Sequence, residues 1–349
     1  MRSMIIKEFR ELSRDRRTMA MIVVLPILFL VIFGYAANFN VGTLKTIVIG
    51  PQATVAESIL PPLFEVTSVQ PDATTDQARQ MLVRAEAQVV IDTTTTPPTA
   101  WVDAADLFSA QTANAALARA GNVVKTQLLF NPELKTSWYM VPSLIGLILT
   151  FIGTIVTSIG LVRERENGTL EQLAVMPFRP VDVIIGKIAP YFLLASIDLL
   201  IITVVGILLF GVPFNGSLLV FIVGAALFLF VVLGMGVLIS TLSKTTGQAI
   251  QLAILTLLPQ VLLSGMIFPL IAMPWAIRWI GYLMPLTYFT MISRGVFLRG
   301  TPFDATAMWL PVAILAVMAV VIFSLAVIRF RRDLAPRRSG RIPAAPQEA

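Results

Sequence analysis

The sequence predicts an α-helical membrane protein: six transmembrane helices, with a mixed α/β extracytoplasmic domain inserted between helices 1 and 2. Three observations lead there. Of 349 residues, 56% are apolar and only 13% charged, with a mean hydropathy of +0.83. Soluble domains carry about 25% charged residues, so this chain could not cover a water-facing surface of its size. Second, the chain contains five long uncharged stretches, 18–44, 136–162, 199–243, 245–277 and 305–328. Third, one segment of about 100 residues after the first stretch is polar and acidic.

About 20 apolar residues cross a hydrocarbon core, so each stretch holds at least one span. The 45-residue stretch is too long for one and breaks at Gly211-Val-Pro-Phe-Asn-Gly216, a dense turn signal. The resulting spans are 19–38, 138–161, 188–210, 218–240, 248–270 and 306–328. The first is read as an anchor: it lacks a small-x-small cleavage site and its apolar core is long. An even number of spans puts both termini on one side. Residues 1–18 hold six Lys/Arg, residues 162–187 four, Lys244 one, and the tail from Arg329 six, together 17 of 26. The positive-inside bias makes that side, and both termini, cytoplasmic. The net charge of +6 then reports topology, and no nucleic-acid partner is expected.

Residues 39–137 consequently lie outside. They are predicted to form an α/β domain, with strands at 45–50, 87–92 and 99–103, a helix at 75–87, a loop at 93–98 and a longer Ala-rich helix at 108–129. Ahead of the first span, Met1, Met4, Ile5, Phe9 and Leu12 follow helical spacing. Residues 1–18 are therefore predicted to lie as an amphipathic helix in the inner interface, touching lipid. Residues 329–349 form a basic cytoplasmic tail.

The chain has no Cys and no His. This removes disulfides, thiolate nucleophiles, His/Cys zinc sites and Ser-His-Asp triads. No catalytic residue and no metal site is expected. Within the spans, Asp198 is the one acidic residue. A mid-bilayer charge is costly and rarely faces lipid, so Asp198 is a candidate for the translocation path, or for a polar contact between helices. Gln248, Gln251, Thr256, Gln260 and Ser264 recur along one span and suit either a cavity lining or interhelical hydrogen bonds. Pro259 frees a carbonyl there and allows a kink. The stretch 270–290 is apolar and Trp-rich but broken by Pro274 and Gly281, which predicts an outer re-entrant or interfacial hairpin.

One cytoplasmic connection stands apart, residues 163–187. Asn167-Gly168 reads as a helix stop. Thr169 can cap a short helix to about Met176, with Glu171 and Gln172 in its first turn, Leu170, Leu173 and Ala174 on one side, and Pro177 and Pro180 at its end. A short capped helix at the membrane face can be pushed as a rigid body.

The run Glu164-Arg-Glu-x-Gly168-Thr-Leu-Glu-x-Leu173, followed by Pro177 and Gly186-Lys187, resembles the signature of ABC transporter type-2 permeases. Leu258-Pro259 with Leu263-Ser-Gly-Met-Ile-Phe-Pro269 resembles that family's fifth span. Pro285-Leu-Thr-Tyr288 with Arg294-Gly295 resembles its turn before the last span, and Lys7-Glu-Phe-Arg10 with Arg16 its entry helix. The order of span, large external lobe and five spans is similar to the subgroup of bacterial drug and lipid exporters. Ala174-Val-Met176 departs from the small polar residues frequent there. The resemblance implies a dimer of six-span halves, identical or paralogous, in the bacterial inner membrane. Each half would bind a separate cytoplasmic ATPase holding ATP and Mg. It also implies coupling residues Arg163, Glu164, Glu166, Gly168, Thr169, Leu170, Glu171, Leu173, Pro177 and Lys187. The chain itself has no G-x-x-x-x-G-K-[ST] phosphate loop, so it is not expected to hydrolyse ATP. Two other function classes compete: a gradient-driven carrier, which would commonly show internal repeats and several intramembrane charges, and a transmembrane signal transducer.

Overall fold

The structure, a computed structural model, describes residues 27, 41–119, 124–168 and 180–334. The predicted amphipathic N-terminal helix, almost all of the first span, the helix at 169–176 and the end of the basic tail lie outside these residues.

Residues 44–129 fold into an α/β lobe. Strand β1 (Leu44–Ile49) is followed by α1 (Ala53–Ile59), β2 (Phe64–Gln70), α2 (Thr75–Val83), β3 (Val89–Asp92), β4 (Thr99–Asp103), α3 (Leu107–Arg119) and β5 (Lys125–Leu129). The sheet order is β2-β1-β3-β4-β5. β1 runs parallel to β2 and β3, β3 antiparallel to β4, and β4 parallel to β5. β3 and β4 are buried along their whole length, as expected of central strands covered on both faces. Alternation sorts their side chains. Val89 and Ile91 pack with Ala110, Ala113 and Leu117 of α3. Val90 and Trp101 pack on the other face with Ala78 and Leu82 of α2. α2 begins with a reciprocal cap between Thr74 and Gln77.

Two expectations for this lobe are corrected. The helix predicted over 108–129 stops at Arg119, and 125–129 is strand β5. β4 has an open edge whose buried N–H and C=O groups need partners, and that requirement outweighs the local helical pattern. The sequence reading also omits α1 and β2. β2 is an edge strand with only Phe64 fully buried, so its apolar signal is weak.

Among the described residues, five helices are long and apolar enough to cross a membrane: Thr136–Glu166, Ile185–Phe210, Leu218–Leu242, Thr246–Leu263 and Thr306–Arg329. They lie within α4 (Thr136–Glu166), α5 (Pro180–Phe210), α6 (Leu218–Leu242), α7 (Thr246–Leu263) and α10 (Thr306–Leu334). Two shorter helices, α8 (Trp275–Gly281) and α9 (Pro285–Arg294), occupy the predicted hairpin stretch. The span predicted over 248–270 is shorter than expected, because α7 ends at Leu263 and the chain turns through Ser264 and Gly265. The bundle core joins α4, α6, α9 and α10 through Ile145, Leu149, Phe228, Phe289 and Leu315. Phe228 stacks on Phe289 with ring centroids 4.5 Å apart. Gly146 permits this packing: a Cβ there would lie 2.4 Å from the Phe289 ring.

The lobe is tied to the bundle at several points. Buried Asn131 fixes the connection into α4, donating from Nδ2 to the Lys135 carbonyl at 3.1 Å and accepting from Lys135 N–H at 2.9 Å. The Thr301 hydroxyl donates to the Val83 carbonyl at 2.8 Å, and Arg84 pairs with Asp304 at 2.7 Å. Arg299 Nε pairs with Asp103 Oδ2 at 2.7 Å, and Asp103 is only 1% exposed. Burial pushes the Asp103 carboxyl above the ordinary range, opposed by the Arg299 guanidinium and by the Ala105 N–H.

Removing Arg299 would leave a buried, unpaired carboxylate at neutral pH. Arg299→Ala is expected to destabilise the folded chain by about 3–5 kcal/mol. The folded-state pKa of Asp103 is raised, so the penalty applies above that pKa and is relieved as pH falls through it. Thermal unfolding of the purified chain should show the Arg299→Ala deficit shrinking in acid. A deficit of constant size across pH would contradict this account of the junction.

Candidate functional site

α4 ends on Arg163-Glu-Arg-Glu166. Successive side chains on a helix step by about 100°, so neighbouring residues reach different partners. Glu164 forms an ion pair with Lys187 on α5. Arg165 donates to the carbonyls of Ser240 at 2.9 Å and Ser243 at 2.7 Å, at the end of α6. Glu166 accepts from the Thr246 N–H at 2.9 Å and the Thr246 hydroxyl at 2.7 Å, at the start of α7. Each contact suits the helix end it touches. The last carbonyls of α6 lack intrahelical partners and carry partial negative charge, which a guanidinium satisfies. The first N–H groups of α7 carry partial positive charge, which a carboxylate satisfies. One turn of α4 therefore fastens three other helices at the end of the bundle remote from the lobe.

Of the predicted coupling residues, Glu164, Glu166 and Lys187 are brought together here. Arg163 is exposed. Gly168 stands just past the helix with φ +72°, a left-handed conformation that favours glycine, and its α-carbon faces open space. Thr169, Leu170, Glu171, Leu173 and Pro177 lie outside the described residues. Arg165 is a contact that the sequence reading left out. A cation at a helix terminus beside serine-rich Ser240-Thr-Leu-Ser243 is the signal that points to it.

The polar residues expected along one face of α7 divide into different roles. Gln248 completes the start of the helix: its side-chain carbonyl accepts from Lys244 N–H at 3.0 Å, while Thr245 accepts from Gln248 N–H. Thr256 donates back to the Leu252 carbonyl at 2.8 Å. Gln251 is half-buried, and Pro259 sits inside the helix. Gln260 and Ser264 are buried at 1% exposure, and their side-chain polar atoms have no hydrogen-bond partner among the described residues. Asp198 is half-buried on α5, with no ion-pair partner among the described residues.

At the lobe end of α7, Arg294 gathers the chain turn. It donates to the carbonyls of Tyr139 at 3.2 Å, Gly265 at 3.1 Å and Met266 at 3.1 Å. Its guanidinium carbon lies 3.6 Å from the centroid of the Tyr139 ring. Arg294 is the only charge between Trp279 and Leu298. A lone cation in an apolar run has to find buried partners, and that is the signal for its role.

A family description, "ABC-2 family transporter protein", matches residues 16–328. The chain is 31% identical over 366 residues to "Probable multidrug ABC transporter permease YbhR" of Escherichia coli (strain K12), covering 95% of this chain and 98% of that one. It is 30% identical over 335 residues to "Probable multidrug ABC transporter permease YbhS" of the same organism, covering 86% and 88%. It is 33% identical over 214 residues to "Inner membrane transport permease YhhJ" of that organism, covering 60% and 56%. With five spanning helices and a match over nearly its full length, this is a multi-pass membrane protein that belongs to the ABC-2 family of transporter proteins.

Proposed function

We propose that the chain is the membrane-spanning half of an ATP-driven exporter, with the α/β lobe outside the cell membrane and the α4 terminus on the cytoplasmic side. The connection 163–187 receives force from a separate cytoplasmic ATPase, which binds ATP and Mg. A second permease half completes the path. The contacts of Glu164, Arg165 and Glu166 with three different helices carry this reading. A displacement of the residues that follow α4 reaches α5, α6 and α7 together through that one turn. The relatives' names, multidrug permeases, and the apolar spans favour amphipathic drugs or lipids as cargo, and the inner membrane as location. The stretch with α8 and α9 would lie at the outer mouth, where exposed Trp275 and Trp279 suit a membrane interface.

The test is reconstitution in vesicles with and without a candidate partner ABC ATPase. Flux that needs both ATP and that ATPase supports export. Flux driven by an ion gradient without it would overturn the reading. Within that system, Glu164→Ala and Arg165→Ala should each lower ATP-driven flux about tenfold, in the range of ordinary coupling energies, while ATP hydrolysis continues. Parental flux in both variants would remove the coupling role.

Asp198 is assigned to the translocation path because it is a half-buried acid in a span without an ion-pair partner among the described residues. Asp198→Asn is expected to insert normally and to change the relative export of cationic and neutral compounds several-fold. An unchanged export profile would leave it a contact between helices.

A further inference from the structure

A cavity of about 450 Å³ lies where the lobe meets the bundle. Lobe residues Ala105 and Asp106 form one wall, and Tyr139, Ser264, Thr290 and Arg294 form another. The volume is that of a small-molecule site. Three of its polar groups have an oxygen without a partner among the described residues. Ser264 and Thr290 are 1% and 2% exposed, and neither hydroxyl oxygen has a hydrogen-bond partner among the described residues. Asp106 Oδ2 accepts from Ser109 at 2.7 Å, but its buried Oδ1 has no partner. Leaving such groups buried and unpaired is costly, about 1–3 kcal/mol each.

The charges have the same character. Arg299 also lines the cavity but is paired with Asp103. Arg294 and Asp106 have opposite signs, and neither is in an ion pair among the described residues. Three of the five Arg294 N–H groups go to carbonyls and the guanidinium also bonds the Tyr139 hydroxyl, which leaves at most two donors. The first residues of α10, Thr306 and Ala307, line the cavity as well, so the positive end of that helix borders it. A simple anion would meet the Asp106 carboxylate, and a simple cation would meet Arg294 and the helix end. Exposed apolar Ile271 and Leu310 form the rim, at 38% and 41% exposure.

We propose that this cavity binds the zwitterionic head group of an amphiphile, an acidic group and an amine on one short head. The acidic group accepts from Arg294, Ser264 and Thr290, the amine donates to Asp106 Oδ1, and the apolar tail leaves over Ile271 and Leu310. The site lies within one chain and does not depend on the export reading.

Binding is tested on the purified full chain by native mass spectrometry, with no ATPase and no nucleotide, so that the result is separate from coupling. The probes are phosphatidylethanolamine (amine and phosphate), phosphatidylglycerol (phosphate without amine) and soluble phosphoethanolamine (the head alone). The parent chain should retain phosphatidylethanolamine about tenfold better than phosphatidylglycerol. Asp106→Asn should abolish that preference. Thr290→Val keeps the side-chain shape and breaks no hydrogen bond of its hydroxyl, so it should unfold like the parent yet lose about fivefold in phosphatidylethanolamine retention. Glu57→Gln, exposed on α1 and outside the cavity lining, should change nothing. Displacement of the lipid by phosphoethanolamine supports a head-group site open to either source, and its failure supports a site that takes membrane lipid alone. Equal retention of both lipids by the parent, or a folded Thr290→Val chain that binds like it, would overturn the proposal.

Discussion

Hydrocarbon offers no hydrogen bonds, so every backbone N–H and C=O at membrane depth has to be satisfied by the protein itself. Helices meet that demand everywhere except at their ends, where four donors or four acceptors remain. Three charged residues of this sparsely charged chain stand where such ends lie. Arg165 meets the last carbonyls of α6, Glu166 the first N–H groups of α7, and Arg294 the carbonyls beyond the end of α7. The same side chains that complete the backbone also join one helix to the next. Completing the backbone and joining the helices are one feature here.

The two ends of the bundle are built differently. At the α4 terminus, polar contacts are partly exposed and individually weak in water. They couple helices without locking them. At the lobe, the Arg299–Asp103 pair is buried and is joined by Thr301 and Asn131. The lobe is therefore held against the bundle by contacts that are costly to break, and the cavity beside Arg294 has walls from both parts. The Ser264, Thr290 and Asp106 oxygens without partners among the described residues converge on that one cavity, which is why it stands out as a place for a ligand.

Part of this arrangement was legible in the sequence. Glu164, Glu166 and Lys187 belong to the run that carries the family resemblance, and the structure brings them to one end of the bundle. Asp198 and Gln260 stand out as polar groups in apolar spans. Other parts were not legible. The residues of α7 look alike in sequence, yet Gln248 caps the helix, Thr256 bonds to its own backbone, and Gln260 and Ser264 are buried without partners. Asp106 gave no signal, because a carboxylate in a loop of a polar domain is ordinary until the bundle closes over it.

Composition and the spacing of apolar runs determined by themselves that this is a membrane protein, where its described spanning helices fall to within a few residues at most ends, and that a polar α/β lobe precedes them. These are properties of solvent preference and periodicity, both local to the chain. Strand β5, the early end of α7, the joining role of Arg165 and the cavity at the lobe were decided only in three dimensions. Each depends on a partner far away in sequence: the open edge of β4, the turn held by Arg294, the carbonyls of α6, and residues 299–304 lying against the lobe. A linear pattern reports what a residue prefers, but not which unsatisfied group folding will place beside it.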